Sequence, residues 1–419
     1  MTSSTPRIAI IGAGIAGMRA AKALLKCGAD AEAVIFGDEA HRTYNRPGLT
    51  KKRYEASDSA KAALAQELAV AGVDDHGLTW RLGTRVEKVD LRKKVLRLSD
   101  GEIHAYDSLV IATGVRPRIS LHAGGQCDRH SHRSLRGLDD AHYVHERLQK
   151  SSSVTIVGAG FVACEMATLA KEYGCDVVML ETRRVGPFQS ILGKTVALTL
   201  KQWIVQNGVS FLTGEAAQKE MCKQADHGDL DKRERNISRS PADGEKSRSL
   251  LIEAIGSVPN TEWLEGNSLD LSDGVCVDEH MRVVDADGVF AAGDIARYPD
   301  PWQRGKFTRM EFWKNAINTG DIAGKGAAAH LGHDIDISRI AYFPHMATEM
   351  FGLRIQIAGS PAAADSTEIV CGDLNQPDRG VIVQYARNGR PIGACYLDTG
   401  AHLNSTYISL LKTLKQRQS

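Results

Sequence analysis

The chain has 419 residues, 42% hydrophobic and 25% charged, the balance of a soluble globular protein long enough for about three domains. Lysine and arginine number 52 against 51 aspartates and glutamates, so there is no basic field to suit nucleic acid or an anionic membrane. No stretch approaches the apolar length of a membrane span, and the eight cysteines show neither C-x-x-C nor metal-ligand spacing, so a reduced, cytoplasmic protein without a metal site is expected.

Residues 7–11 form a β-branched run that ends in glycine, residues 15–26 are alanine-rich and helix-forming, and residues 33–36 read as the next strand. This is a βαβ unit with a right-handed crossover. Between strand and helix stand Gly12, Gly14, Ala16 and Gly17, a G-x-G-x-x-G fingerprint. Its first glycine makes the turn, its second lets backbone approach a pyrophosphate, and its third allows close helix packing. An acid at the end of the second strand, Asp38 or Glu39, is placed to accept hydrogen bonds from a ribose, and Asp38 is the preferred candidate. The loop 44–51 holds its direction through Pro47 and carries Arg46 and Lys51. Residues 107–114 are a buried-type strand ending in Ala112, Thr113 and Gly114.

The same grammar recurs at residues 153–181, with Gly158 and Gly160 in the turn and Ala163 in the third glycine position. Glu181 ends the strand that follows, where a carboxylate binds the free 2′-hydroxyl of NAD and repels the 2′-phosphate of NADP. Arg183 and Arg184 could instead accommodate that phosphate, and NADH is expected over NADPH. Residues 216–248 are dominated by charge and read as a solvated loop insertion. Residues 286–294 repeat the form of 107–114 and end in Asp294, residues 311–329 read as a helix, and the last ~90 residues look like a small α+β cap. Two dinucleotide sites in one chain imply a relay between a held flavin and an exchangeable nicotinamide.

The segment YNRPGLTK at 44–51 closely resembles the Y-x-R-P-x-L-S-K segment of FAD-dependent ferredoxin reductases, rubredoxin reductases and apoptosis-inducing factor. The order of further motifs is similar too: Ala112-Thr113-Gly114, Leu135-Arg136, the second fingerprint continuing to Glu165, Gly256 to Asn260, Ala292-Gly293-Asp294, and Arg309-x-Glu311-x-x-x-Asn315-Ala316. The resemblance implies an α/β fold with two Rossmann-like dinucleotide-binding domains, for FAD and NAD, plus a small C-terminal α+β cap. FAD would bind 1–118 with 265–330, the nicotinamide would bind 119–264, and 331–419 would form the cap. It also implies that Arg46, Lys51, Val86, Arg136, Asp294 and Trp313 contact FAD, with Lys51 near its reactive edge, while Gly256 lines a cofactor site and Glu165 sits near the nicotinamide.

Electrons would pass from NADH to the flavin and on to a small iron–sulfur carrier such as a ferredoxin or rubredoxin. Two other readings stay open: a dehydrogenase or oxidase acting on a small organic molecule or dioxygen, and a redox-sensing NAD-binding flavoprotein like apoptosis-inducing factor. A homodimer is compatible with each. The related sequences carry an aromatic residue before the L-R-[IL]-Q segment that covers one flavin face, and Ala347 stands there in this chain. Residues 40–60 contain no cysteine, which argues against thiol chemistry at the flavin.

Overall fold

Strands buried on both faces by flanking helices read as continuous apolar runs, and the short β-branched segments of this chain pair accordingly into parallel sheets. The computed structural model describes residues 5–51, 53, 58–70, 77–120, 132–227, 248–300, 305–337, 340, 343–400 and 404–416. The chain divides into two units. The first comprises Met1–Pro47, Ala63–Arg116 and Ser257–Tyr342; the second comprises Gly48–Ala62, Pro117–Gly256 and Phe343–Ser419. The residues expected to form a cap from 331 onward are thus shared between the units, and Phe343–Ser419 groups with the second fingerprint.

In the first unit, five parallel strands lie in the order Val289–Ala291, Ser108–Ile111, Arg7–Ile11, Glu32–Phe36, Leu78–Arg81. The reversal of strand order beside Arg7–Ile11 is where ligands of open α/β sheets bind. Helix Ile15–Lys26 packs along helix Trp313–His330 at very short range. A Cβ on Gly320 would lie 2.4 Å from the Ala16 carbonyl oxygen, and one on Gly324 would lie 2.1 Å from that of Ala20. The Arg19 guanidinium, bidentate to Asp321, fixes the two helices at their rim.

The second unit contains another parallel sheet, in the order Val209–Thr213, Asp176–Glu181, Ser151–Val157, Arg248–Glu253, His132–Arg133. It also holds an antiparallel sheet ordered His345–Met350, Leu353–Gly359, Arg390–Asp398, Val381–Arg387, Ser366–Cys371. Side chains alternate across that sheet as period two demands. Ile355, Val381, Val383 and Tyr385 share a core with the parallel sheet's helices, while Ala358, Ile382 and Tyr396 face Tyr407, Leu410 and Leu414 of helix Ser405–Gln416.

One expectation is corrected. Residues 216–227, read as part of a charged loop, lie in helix Gly214–His227. Ala217, fully buried, and Met221 one turn later pack on Val157 and Leu180, a narrow i, i+4 stripe that suffices to seat the helix. Residues 228–247 of that expected loop lie outside the described residues.

Candidate functional site: two dinucleotide cradles

The two fingerprints fold alike, bond for bond. Gly12 adopts φ +117° and Gly158 φ +118°, and a Cβ on either would lie 2.1 Å or 2.3 Å from the carbonyl oxygen of Ala112 or Ala254. Both positions require glycine for the left-handed backbone and for that close approach. The Gly12 amide donates to Phe36 O at 2.8 Å and the Gly158 amide to Leu180 O at 2.9 Å. Ala112 N donates to Ile11 O and Ala254 N to Val157 O, each at 2.8 Å. The third positions differ: a Cβ on Gly17 would lie 1.9 Å from Gly12 O, whereas Ala163 is fully buried in the second helix.

The middle glycines differ from the first in what surrounds them. Among the described residues, nothing beyond the chain neighbours and the helix's own backbone lies within 4 Å of a Cβ built on Gly14 or Gly160, so packing there does not demand glycine at either position. Both are helix N-caps without a side-chain cap bond, so no N-cap side chain satisfies the first-turn amides. A small backbone, uncapped amides and the positive end of a helix fit a dinucleotide pyrophosphate.

The first unit gathers Gly12, Gly14, Ala16, Gly17, Asp38, Glu39, Arg46, Val86, Ala112, Thr113, Gly114, Asp294 and Trp313. Glu39 accepts from Tyr44 Oη at 2.6 Å and from Arg46 Nη2 at 2.7 Å, while Asp38 is exposed. Burial works against the charge on Arg46, but the Tyr44 phenol and the carboxylates of Glu39 and Asp294 outweigh it and raise its pKa above the usual arginine value. The Arg46 guanidinium therefore stands in the field of Glu39 and Asp294, a cation suited to a bridging anion. Ala16 packs so closely on Gly293 that a Cβ there would lie 2.8 Å from the Ala16 Cβ. Trp313 opens helix Trp313–His330, and Val86 is core, 6% exposed.

Two residues without an assigned role complete this unit. Arg309 donates from Nη1 to the Asp294 carbonyl at 2.9 Å and pairs with Asp273 and Glu311, locking the turn that carries Asp294. Asn260 closes the turn at Thr113 and Gly114: its Nδ2 donates to Thr113 O at 2.8 Å, its amide to Gly114 O at 3.0 Å, and its carbonyl accepts from Thr113 Oγ1 at 3.0 Å. Both lay inside recognised motifs, but only long-range contacts give them these roles.

The second unit holds Lys51, Arg136, Gly158, Gly160, Glu165, Glu181 and Gly256. Gly256 is exposed with φ +110°, and the Arg136 amide donates to Asp140 at 3.0 Å, just before helix Leu138–Lys150. Glu181 is 7% exposed, accepts from the Arg183 amide at 2.8 Å, and lies 3.9 Å from Arg184 Nη1. Lys51 Nζ is 3.4 Å from Glu165 Oε1. Cys164, beside it, is buried and its thiol is pushed up by burial, so it offers no thiolate.

The loop bearing Lys51 is anchored from beneath. His145, 1% exposed, lies 3.3 Å through Nε2 from Leu49 O and 2.8 Å through Nδ1 from Tyr173 Oη. A carbonyl only accepts, so Nε2 carries the proton and Nδ1 accepts from the phenol. Burial pushes this imidazole down to about 4. The unfolded chain then binds more protons below its ordinary value of about 6.5, so this stabilisation is complete above pH ~6.5 and is lost as pH falls toward ~4, a swing of about 3 kcal/mol. In acid titrations of unfolding, His145→Gln should show a shallower slope in that window, by up to about one proton.

No helix among the described residues is long and apolar enough to cross a membrane, and no group of three metal-ligating side chains occurs among them. The pyridine nucleotide-disulphide oxidoreductase family matches residues 6–320. The anthranilate 1,2-dioxygenase system ferredoxin–NAD(+) reductase component of Burkholderia cepacia is 29% identical over 400 residues, 94% of this chain and 92% of that protein. The p-cumate 2,3-dioxygenase system ferredoxin–NAD(+) reductase component of Pseudomonas putida is 33% identical over 318 residues, 75% of this chain and 73% of that one. Among solved structures, a chain of the covalent putidaredoxin reductase–putidaredoxin complex shares the fold at TM-score 0.77 and 22% identity, covering 98% of this chain and 94% of that one. With two Rossmann cradles in place and three quarters of its length matched, the chain belongs to the pyridine nucleotide-disulphide oxidoreductase family and is an oxidoreductase.

Proposed function

We propose that this protein is an FAD-dependent NADH oxidoreductase that delivers electrons to a small iron–sulfur protein. The observation that carries the reading is the pair of open cradles at Gly14 and Gly160, two dinucleotide sites in one chain. FAD, when bound, supplies the chemistry that links a two-electron donor to a one-electron acceptor. Gly12, Gly14 and Gly17 would hold its pyrophosphate, Asp38 or Glu39 its ribose, and Arg46 its negative charge, with Asp294 bonding its ribityl hydroxyls from the turn that Arg309 locks. NADH would bind at Gly158 and Gly160, with Glu181 on its adenosine ribose and Glu165, paired with Lys51, toward its nicotinamide. The acceptor class follows from the relatives, which are named as ferredoxin–NAD(+) reductase components.

A second reading is favoured by Ala347, which is exposed on the edge strand His345–Met350 and offers no ring to cover a flavin: electrons would leave to a small organic acceptor or dioxygen. One titration separates the two. Under anaerobic conditions NADH should bleach the visible flavin band, and a [2Fe–2S] ferredoxin or a rubredoxin should restore it rapidly while quinone and air act slowly. Fast reoxidation by quinone or air, with no response to either iron–sulfur protein, would replace the first reading with the second.

A further inference from the structure

Helix Phe161–Glu172 meets the edge strand His345–Met350 and the turn that follows it through two rungs one turn apart. Thr348 Oγ1 donates to Glu165 Oε1 at 2.7 Å, and Thr168 Oγ1 accepts from the Phe351 amide at 3.1 Å. From the other side the Thr50 hydroxyl donates to Glu165 Oε2. Both threonines are buried, 4% and 7% exposed, whereas the Lys51 side chain that also reaches Oε1 is 43% exposed. Hydroxyl bonds to an ionised acceptor are roughly twice as strong as neutral ones, and a half-exposed lysine retains its rotamer freedom. The direction of the Glu165 carboxylate is therefore set by the threonines more than by Lys51.

We propose that Thr348, acting with Thr50, is a positioning residue that aims Glu165 at the nicotinamide end of the dinucleotide. The inference rests on the assignment of NAD to the second cradle. Thr348→Val in the flavin-loaded protein keeps the branched shape of the side chain and replaces the hydroxyl with a methyl group. Calorimetry should show NAD⁺ binding weakened about tenfold, as expected for one hydrogen bond to a charged group. ADP-ribose, which lacks the nicotinamide, should bind as to the unmodified protein. Thr348→Ser should restore NAD⁺ affinity, and Thr348→Val added to Glu165→Gln should cause no further loss. Thr168→Val, which removes the neighbouring rung, should leave the ratio of NAD⁺ to ADP-ribose affinity unchanged.

Equal weakening of both ligands by Thr348→Val, or a full additional loss in the Glu165→Gln background, would overturn the proposal and reduce Thr348 to a packing contact. An unmodified protein that binds neither NAD⁺ nor ADP-ribose would instead remove the assignment of the cradle itself, and the inference with it.

Discussion

Gly14→Val is expected to give a folded protein that has lost its flavin, and Gly160→Val a yellow protein that NADH no longer reduces. The expectation rests on an asymmetry within each fingerprint. Among the described residues, a Cβ on Gly14 or Gly160 meets no atom within 4 Å beyond its own helix and chain neighbours, and neither residue has positive φ, so the native packing leaves room for the change. The volume it fills is the one through which backbone would approach a pyrophosphate. Affinity for the corresponding dinucleotide should fall roughly 100-fold or more, at 1.4 kcal/mol for each factor of ten. Thermal unfolding of the flavin-free forms should change little, since substitutions away from packed or strained positions usually stay within about 0.5 kcal/mol. Gly12→Val makes the contrast: it forces a branched side chain to φ +117° against the Ala112 carbonyl and should destabilise the first unit by several kcal/mol. Flavin absorbance after gel filtration, together with melting curves on apoprotein, reads all three. A flavin-replete Gly14→Val protein would show that FAD does not use the first cradle.

The sequence made the cradles legible because their constraints are local. A β-branched strand, glycines at fixed offsets and an alanine-rich helix fall within 20 residues, and both copies obey the same grammar. The helix Gly214–His227 escaped because only Ala217 and Met221 mark its buried side amid charged neighbours, and a two-residue stripe is too little period to read. Strand position favours Asp38 over Glu39; only folding ties Glu39 to Tyr44 and Arg46 and leaves Asp38 exposed. Thr348, 183 residues from its partner, looks in sequence like any polar residue of an alternating strand. Arg309 likewise reveals its hold on Asp294 only when two strands and a turn converge. What local chemistry specifies could be read in advance, and what long-range pairing specifies could not.

The choice between nicotinamide coenzymes should hinge on Glu181. Its carboxylate is 7% exposed and already engaged by the Arg183 backbone amide, with the Arg184 guanidinium 3.9 Å away, so one backbone donor and one cation face the acid. A 2′-phosphate brought to this position would face a nearly buried negative charge, while a 2′-hydroxyl would donate to it. Glu181→Ala removes the repulsion and at the same time releases one backbone donor and one guanidinium for an anion. The ratio of kcat/KM for NADH to that for NADPH should therefore fall about 100-fold, close to 2.7 kcal/mol of lost discrimination. Most of the change should come from improved NADPH use, with NADH losing only the energy of one hydrogen bond, about tenfold at most. Adding Arg184→Ala should give back part of the NADPH gain, because that cation is then no longer available to the phosphate. Unchanged kinetics with both coenzymes in Glu181→Ala would mean that the carboxylate does not meet the ribose, and would move the specificity determinant elsewhere in the second unit.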